Sequence, residues 1–206
     1  MFRTGLLVVS TARPLTETSI GQILRGACEH VNNNLYVYLT PPETASTETS
    51  TSPQQHVALT KSIEQSVLHF YTRSASLCSH VDIRVILANI GGGGGGGGGG
   101  QQTHKKLNLL NQPEVLLMEK KCDQSLLDYV KARFSAKLEN VRLVELDVKR
   151  DNKNSDENFA QTYDNTCLGG TFDRLHVGHK ILLTKACLLT KKALTVGVTD
   201  GKMNMG

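Results

Sequence analysis

The sequence lacks several features that mark particular classes of protein. No run of about 18 apolar residues occurs along its 206 residues, so no transmembrane helix is predicted. The net charge is only +4, which is too small for a protein that coats nucleic acid but suits a partner that carries phosphate. No GxxxxGK(S/T) motif is present, so the chain contains no P-loop kinase signature.

Clustered cysteines are also absent. The five cysteines form no CxxC pair, and no histidine lies at zinc-finger spacing from them; they are Cys28, Cys78, Cys122, Cys167 and Cys187. Their odd number and wide spacing favour reduced, mostly buried thiols and a cytoplasmic location. Arg3 and Arg13, with no acidic residue before Glu17, resemble a mitochondrial presequence. A mitochondrial location, or the outer surface of that organelle, is therefore the alternative.

Glycine is scarce outside one tract. Ten of the 19 glycines form the block Gly91–Gly100, and the remaining nine fall below the usual share of about 7%. A run of ten glycines has maximal backbone entropy and nothing to bury, so we predict that it is disordered. The rest of the chain has the composition of an ordinary globular protein.

Strand-like and helix-like segments alternate along the chain, which is typical of an α/β fold with Rossmann-like layers and a parallel sheet. We predict an N-terminal α/β domain over residues 1–148 and a charged, polar linker over residues 149–162. Residues 163–206 form a further strand–helix–strand unit. The predicted strands are Leu6–Ser10, Leu35–Thr40, Val81–Ala88, Glu114–Met118, Val141–Val148, Thr166–Leu168 and Ala193–Thr199. The predicted helices are Thr18–Val31, Val57–Tyr71, Gln124–Leu138 and Lys180–Leu189.

The first 150 residues contain no convincing catalytic group. Their histidines are scattered, and none has an acidic or cysteine partner at helical spacing. One hypothesis is therefore that this region is a scaffold or targeting module that binds a partner or associates with a membrane surface.

The functional residue types are concentrated after the strand at Thr166–Leu168, where the sequence reads GGTFDRLHVGH. Open α/β sheets bind ligands at this position, outside the carboxyl end of a strand. The glycines let the backbone approach a ligand, and the following helix N-terminus offers N–H donors to phosphate. His176 and His179 lie three positions apart and therefore share one helix face. Their imidazoles can donate hydrogen bonds to phosphate oxygens.

A metal site and a dinucleotide site are the competing interpretations of this turn. A metal normally needs three or four protein ligands, and Asp173 is the only further candidate nearby, so we predict no metal ligand. The turn also does not read GxGxxG, which argues against a dinucleotide fingerprint.

The turn resembles the signature of the nucleotidyltransferase superfamily, whose motif is (T/H)xGH. Within that superfamily it is most similar to the phosphopantetheine adenylyltransferase domain of animal bifunctional coenzyme A synthases. The segments FRTGLLVVST, LYVYL and VDIRVILANI resemble the N-terminal part of those enzymes in order and spacing. The resemblance therefore implies an N-terminal α/β domain followed by the first βαβ unit of an adenylyltransferase.

The resemblance implies that AMP passes from ATP to 4′-phosphopantetheine, giving dephospho-coenzyme A and pyrophosphate. Mg²⁺ would accompany ATP, and no nucleic acid is expected as a partner. His179 and His176 would be the catalytic residues. The resemblance assigns nucleotide or substrate binding to Gly169, Gly170, Thr171, Phe172, Asp173, Gly178 and Lys202.

The family's adenylyltransferase is longer than residues 163–206, so we expect this chain to be a fragment with negligible activity alone. Turnover in a pyrophosphate-release assay would overturn that expectation. Two alternatives remain open from the sequence. One is a CTP-dependent cytidylyltransferase of phospholipid precursor synthesis, which shares the turn, and the other is the non-catalytic module described above.

Overall fold

The computed structural model describes residues 1–12, 15–40, 53–87, 107–120, 124–134, 138, 141–150 and 162–199. Side chains in the second helix are described from residue 62 onwards. The strands are β1 (Phe2–Ser10), β2 (Val31–Thr40), β3 (Asp82–Leu87), β4 (Val115–Glu119), β5 (Arg142–Leu146), β6 (Tyr163–Gly170) and β7 (Thr190–Val198). The helices are α1 (Glu17–Cys28), α2 (Pro53–Leu77), α3 (Gln124–Phe134) and α4 (Val177–Leu189). The predicted disorder of Gly91–Gly100 lies outside the described residues, as does the linker from residue 151 to 161.

The first five strands form a parallel sheet in the order β3-β2-β1-β4-β5. The chain runs outward from β1 in one direction through α1 and α2, and then in the other direction through α3. Parallel strands require such crossovers, which place helices on the faces of the sheet. The predicted α/β fold with Rossmann-like layers is therefore confirmed.

The core lies on both faces of this sheet because successive strand residues point to opposite sides. On β1, Leu7 and Val9 pack in the cluster with α1 and α2, whereas Leu6 and Val8 pack in the cluster with α3. The unbroken apolar sequence of β1 therefore reflects burial on both faces. In the second cluster, the Tyr38 ring meets the Phe134 ring edge to face, with their centroids 5.2 Å apart.

The strands β6 and β7 form a separate two-stranded parallel sheet, with Gly169 opposite Gly197. Helix α4 connects them and has no fully buried residue. Its side chains Val177, Ile181 and Leu188 nevertheless pack against the N-terminal core cluster. Helix α4 therefore lies between its own two strands and helix α2 of the first domain.

The cysteines differ from the prediction of reduced, buried thiols. Cys28 and Cys78 are joined in a disulfide, and Cys167 and Cys187 are exposed free thiols. Cys28 ends α1 and Cys78 follows α2, and both helices cover the same face of the sheet. The fold thus brings together two cysteines that are 50 residues apart in the sequence.

None of the helices that the structure describes is long and apolar enough to cross a membrane.

Candidate functional site

At the start of the turn between β6 and α4, the Phe172 ring lies close to the backbone of Gly170. Strand β6 ends at Gly170, and Phe172 follows with φ at 45°, in the left-handed region that residues with a side chain rarely adopt. This conformation folds the Phe172 ring back over Gly170. A Cβ atom at Gly170 would lie only 2.9 Å from Cε2 of that ring. A side chain at residue 170 would therefore push the Phe172 ring out of its position.

His176 begins helix α4 as its N-cap residue. Its backbone is extended, and its Nδ1 accepts a hydrogen bond from the Gly178 N–H at 3.1 Å. This bond satisfies one of the N–H groups that the first helical turn cannot pair internally. Because Nδ1 is the acceptor, the hydrogen of the neutral His176 ring lies on Nε2.

His179 is oriented by the backbone of the turn. Its Nδ1 lies 3.1 Å from the carbonyl oxygen of Arg174, which can only accept, so Nδ1 carries the hydrogen. The Nε2 atom of the neutral ring is therefore an acceptor, and protonation turns it into a donor. The Phe172 ring lies against the same imidazole, with a centroid distance of 4.8 Å.

The structure brings the two histidines together. Their rings stack with centroids 4.0 Å apart and an angle of 30° between the planes. A side chain at residue 178 would crowd this arrangement, since a Cβ on Gly178 would lie 3.0 Å from Cε1 of His176. His176 is exposed and His179 is half-buried, so the pair borders solvent at the N-terminus of α4. Within the described residues, neither Nε2 atom makes a hydrogen bond.

This arrangement is suited to an anion. The N-terminus of α4 carries a partial positive charge, and His176 supplies an Nε2–H donor beside it. Thr171 and Asp173 are exposed on the same turn, and Gly169 lies in β6 opposite Gly197. The remaining predicted residue, Lys202, lies outside the described residues.

Among the residues that the structure describes, no three His, Cys, Asp or Glu side chains lie together as a candidate metal site. His176 and His179 also stack on one another rather than converging on one point with a third ligand. The chemistry that the turn itself offers is hydrogen bonding to an anion.

Sequence reasoning did not identify two contacts of this site. One is the Phe172 ring against His179, and the other joins Lys180 to the N-terminal domain through Asp82. The sequence signal for the second contact was a lysine within the first turn of a mainly apolar helix. Its partner could not be found in the sequence because the two residues are 98 positions apart.

Comparison with known proteins gives two findings. Residues 3–137 match the family described as the COASY N-terminal domain. A segment of 40 residues is 48% identical to phosphopantetheine adenylyltransferase of Saccharomyces cerevisiae. That segment is 19% of this chain and spans only 13% of the yeast protein. No solved structure matches the chain.

Proposed function

This chain belongs to the COASY N-terminal domain family and is a coenzyme A synthase-related protein, and on that premise we propose that its β6–α4–β7 unit binds ATP and 4′-phosphopantetheine for adenylyl transfer. The observation that carries this proposal is the pair of stacked imidazoles, His176 and His179, at the N-terminus of α4. The yeast relative is named for the same activity, and its similarity over a short segment supports the choice.

In the proposed reaction, a phosphate oxygen of 4′-phosphopantetheine attacks the α-phosphorus of ATP. A new P–O bond forms, the bond from the α-phosphorus to the bridging oxygen breaks, and pyrophosphate leaves with that electron pair. The protein supplies no nucleophile, so catalysis consists of holding the two phosphates in line and stabilising the charge that builds up around phosphorus.

Each histidine has a defined part in this proposal. His176 donates a hydrogen bond from Nε2, because its Nδ1 is occupied as the helix cap. His179 binds phosphate through Nε2 in its protonated form, with Nδ1 held by the Arg174 carbonyl. Thr171, which is exposed beside them, contacts substrate and nucleotide. Fixed donors of this kind stabilise an anion without reorganising during the reaction.

In this proposal, Mg²⁺ binds together with ATP. The turn offers one carboxylate, Asp173, whose Oδ1 accepts a hydrogen bond from the Arg174 N–H at 2.9 Å. Mg²⁺ commonly keeps several waters and binds substrate phosphates with one or two carboxylates. The residues present therefore fit a cation carried by the nucleotide. When bound, it would neutralise part of the triphosphate charge.

Titration of the chain with Mg·ATP, followed by NMR of the backbone and imidazole nitrogens, tests the proposal. We expect ATP to shift the signals of Thr171, His176 and His179. His179→Ala should weaken binding about tenfold, the effect of losing one charged hydrogen bond. His80→Ala is the matched control, because His80 is exposed in the turn after α2.

Parallel titrations with Mg·CTP and with 4′-phosphopantetheine complete the test. We expect CTP to bind more weakly than ATP, and 4′-phosphopantetheine to shift the same turn when ATP is present. Equal or tighter binding of CTP would favour cytidylyl transfer instead. No shift with any of these compounds would contradict a nucleotide site at this turn.

A further inference from the structure

Helix α4 is held by the N-terminal domain immediately beside the histidine pair. Lys180 directly follows His179, and its Nζ donates to the Asp82 carboxylate and, at 2.9 Å, to the carbonyl oxygen of Ile83. Asp82 and Ile83 are the first residues of β3, at the edge of the N-terminal sheet. The Lys180 side chain is 18% exposed and the Asp82 side chain 38%, so this contact is partly shielded from solvent.

The carboxylate that receives Lys180 is itself held in place. Arg84 donates to the other oxygen of Asp82 from Nε at 2.8 Å and from Nη2 at 2.7 Å. Each carboxylate oxygen therefore has its own cationic partner. Charged hydrogen bonds of this kind are stronger and more directional than neutral ones. Asp82 is thus a fixed anchor for Lys180.

Further along α4, additional residues contact the N-terminal domain from one face of the helix. Ile181 and Leu188 pack against the N-terminal core, and Lys185 pairs with Glu64 of α2 at 3.1 Å. These residues recur at spacings of about three to four, which defines one face of a helix. That face of α4 packs against α2. Its opposite side meets β6 and β7, whose residues are mostly exposed.

This docking determines the rotation of α4 about its own axis. Successive residues of an α-helix are separated by about 100° around the axis, so fixing Lys180 on β3 also fixes the direction in which His179 projects. No residue of α4 is fully buried, so its apolar contacts with the core are partial, and Lys180 is the charged contact next to His179.

We propose that Lys180 and Asp82 are positioning residues, through which the N-terminal domain orients His179 in the anion site. This inference builds on the proposed function, since it assigns the N-terminal domain a part in the same site. It also gives a physical role to a domain in which sequence reasoning found no catalytic group.

The test compares Lys180→Met and Asp82→Asn with wild type in the full chain, without nucleotide. Both substitutions remove one charge while keeping the shape of the side chain. We expect backbone amides of residues 180–185 to exchange with solvent about tenfold faster, because one charged hydrogen bond is lost. The imidazole nitrogen signals of His179 should change as well.

Two further variants make the result specific. Lys192→Met is the matched control, since Lys192 pairs with Asp164 at 2.8 Å in an exposed position, and it should leave both readouts unchanged. Lys180→Arg keeps the charge and should retain most of the wild-type exchange protection. A general loss of structure would affect amides of β1 and β2 too, which serve as an internal reference.

Unchanged His179 signals and unchanged exchange in both Lys180→Met and Asp82→Asn would overturn the positioning role. The same variants titrated with Mg·ATP should bind it about tenfold more weakly if the orientation of His179 matters. If the nucleotide-free readouts change as expected but wild type binds no ATP, the proposed function fails while the positioning role stands.

Discussion

At the scale of single residues, the candidate site depends on one unusual backbone conformation and on one glycine without a side chain. Phe172 adopts a left-handed conformation, and Gly170 leaves the space into which its ring folds. The ring in turn packs against His179. The three residues therefore form one unit, in which a change at the glycine is transmitted to the imidazole.

Gly170→Ala tests this unit directly. The added Cβ would lie 2.9 Å from the Phe172 ring, so we expect the ring to move and the ring signals of Phe172 and His179 to shift. The loss of stability should be small, about 1 kcal/mol, because the end of a side chain can yield. Gly169→Ala is the control, since its Cβ would have no neighbour closer than 3.9 Å. Equal shifts in both variants would contradict this account.

The left-handed backbone at Phe172 predicts a difference between two truncations. Both Phe172→Ala and Phe172→Gly remove the ring, but only glycine adopts a positive φ without strain. We expect the glycine variant to be more stable than the alanine variant by about 1 kcal/mol. Urea unfolding measures the difference. An alanine variant as stable as the glycine variant would show that the turn relaxes to another conformation.

At the scale of elements, helices α1 and α4 each begin with a local hydrogen bond to the side chain of the N-cap residue. Helix α1 begins after Thr16, whose hydroxyl accepts a hydrogen bond from the Ser19 N–H at 3.2 Å. The Ser19 hydroxyl donates back to the Thr16 carbonyl at 2.9 Å. Helix α4 uses an imidazole, His176, for the same purpose. In α4 the cap is also a member of the candidate site.

Removing the cap of α1 should therefore cost stability. We expect Thr16→Ala to lower the free energy of unfolding by about 1 kcal/mol, because the Ser19 N–H loses its acceptor. Thr18→Ala is the matched control in the same first turn, where Thr18 is exposed and should have little effect. Chemical denaturation compares the two variants, and equal losses would argue against capping as the cause.

The disulfide that links the ends of α1 and α2 also acts at this scale. It closes a loop of 50 residues, so we expect a reducing agent to lower the free energy of unfolding by roughly 2–4 kcal/mol. Urea unfolding with and without reductant measures this change. Cys167→Ala should keep the sensitivity to reductant, and the double variant Cys28→Ala/Cys78→Ala should lose it. A wild-type protein indifferent to reductant would contradict the pairing.

At the scale of the whole molecule, the contact between α4 and the N-terminal domain makes stability depend on pH. Burial raises the pKa of Asp82, but hydrogen bonds from Lys180 and Arg84 outweigh this effect and leave the pKa below its ordinary value of 3.8. Tyr71, on α2, also lies close to this carboxylate. The interaction is fully present above pH 3.8 and is lost as the pH falls through the lower pKa of the folded state.

We therefore expect Asp82→Asn to be less stable than wild type near neutral pH, with the difference shrinking as the pH falls below 4. Thermal unfolding at a series of pH values measures it. Asp164→Asn, which removes the exposed partner of Lys192, should give a smaller difference at every pH. A difference for Asp82→Asn that does not vary with pH would mean that its charge has no part in the contact.

The sequence by itself determined the type of each element and the location of the candidate site. Apolar runs and helical spacing predicted all the strands and helices that the structure describes, with boundaries that differ by up to six residues, the largest difference being at the end of α2. The strand, glycine and histidine order of residues 169–179 likewise predicted that the two imidazoles lie together, although His176 is the extended N-cap of α4 and not a residue of its first turn. These features depend on residues that are close in sequence, so the periodicity of apolar residues is sufficient to predict them.

Only the tertiary structure decided which distant residues meet. The strand order β3-β2-β1-β4-β5, the pairing of Cys28 with Cys78 and the contact of Lys180 with Asp82 join residues from 27 to 110 positions apart. No local pattern encodes such partners, because they are chosen by how helices pack on the faces of the sheet. In the proposed positioning role, the same packing orients α4 and with it His179.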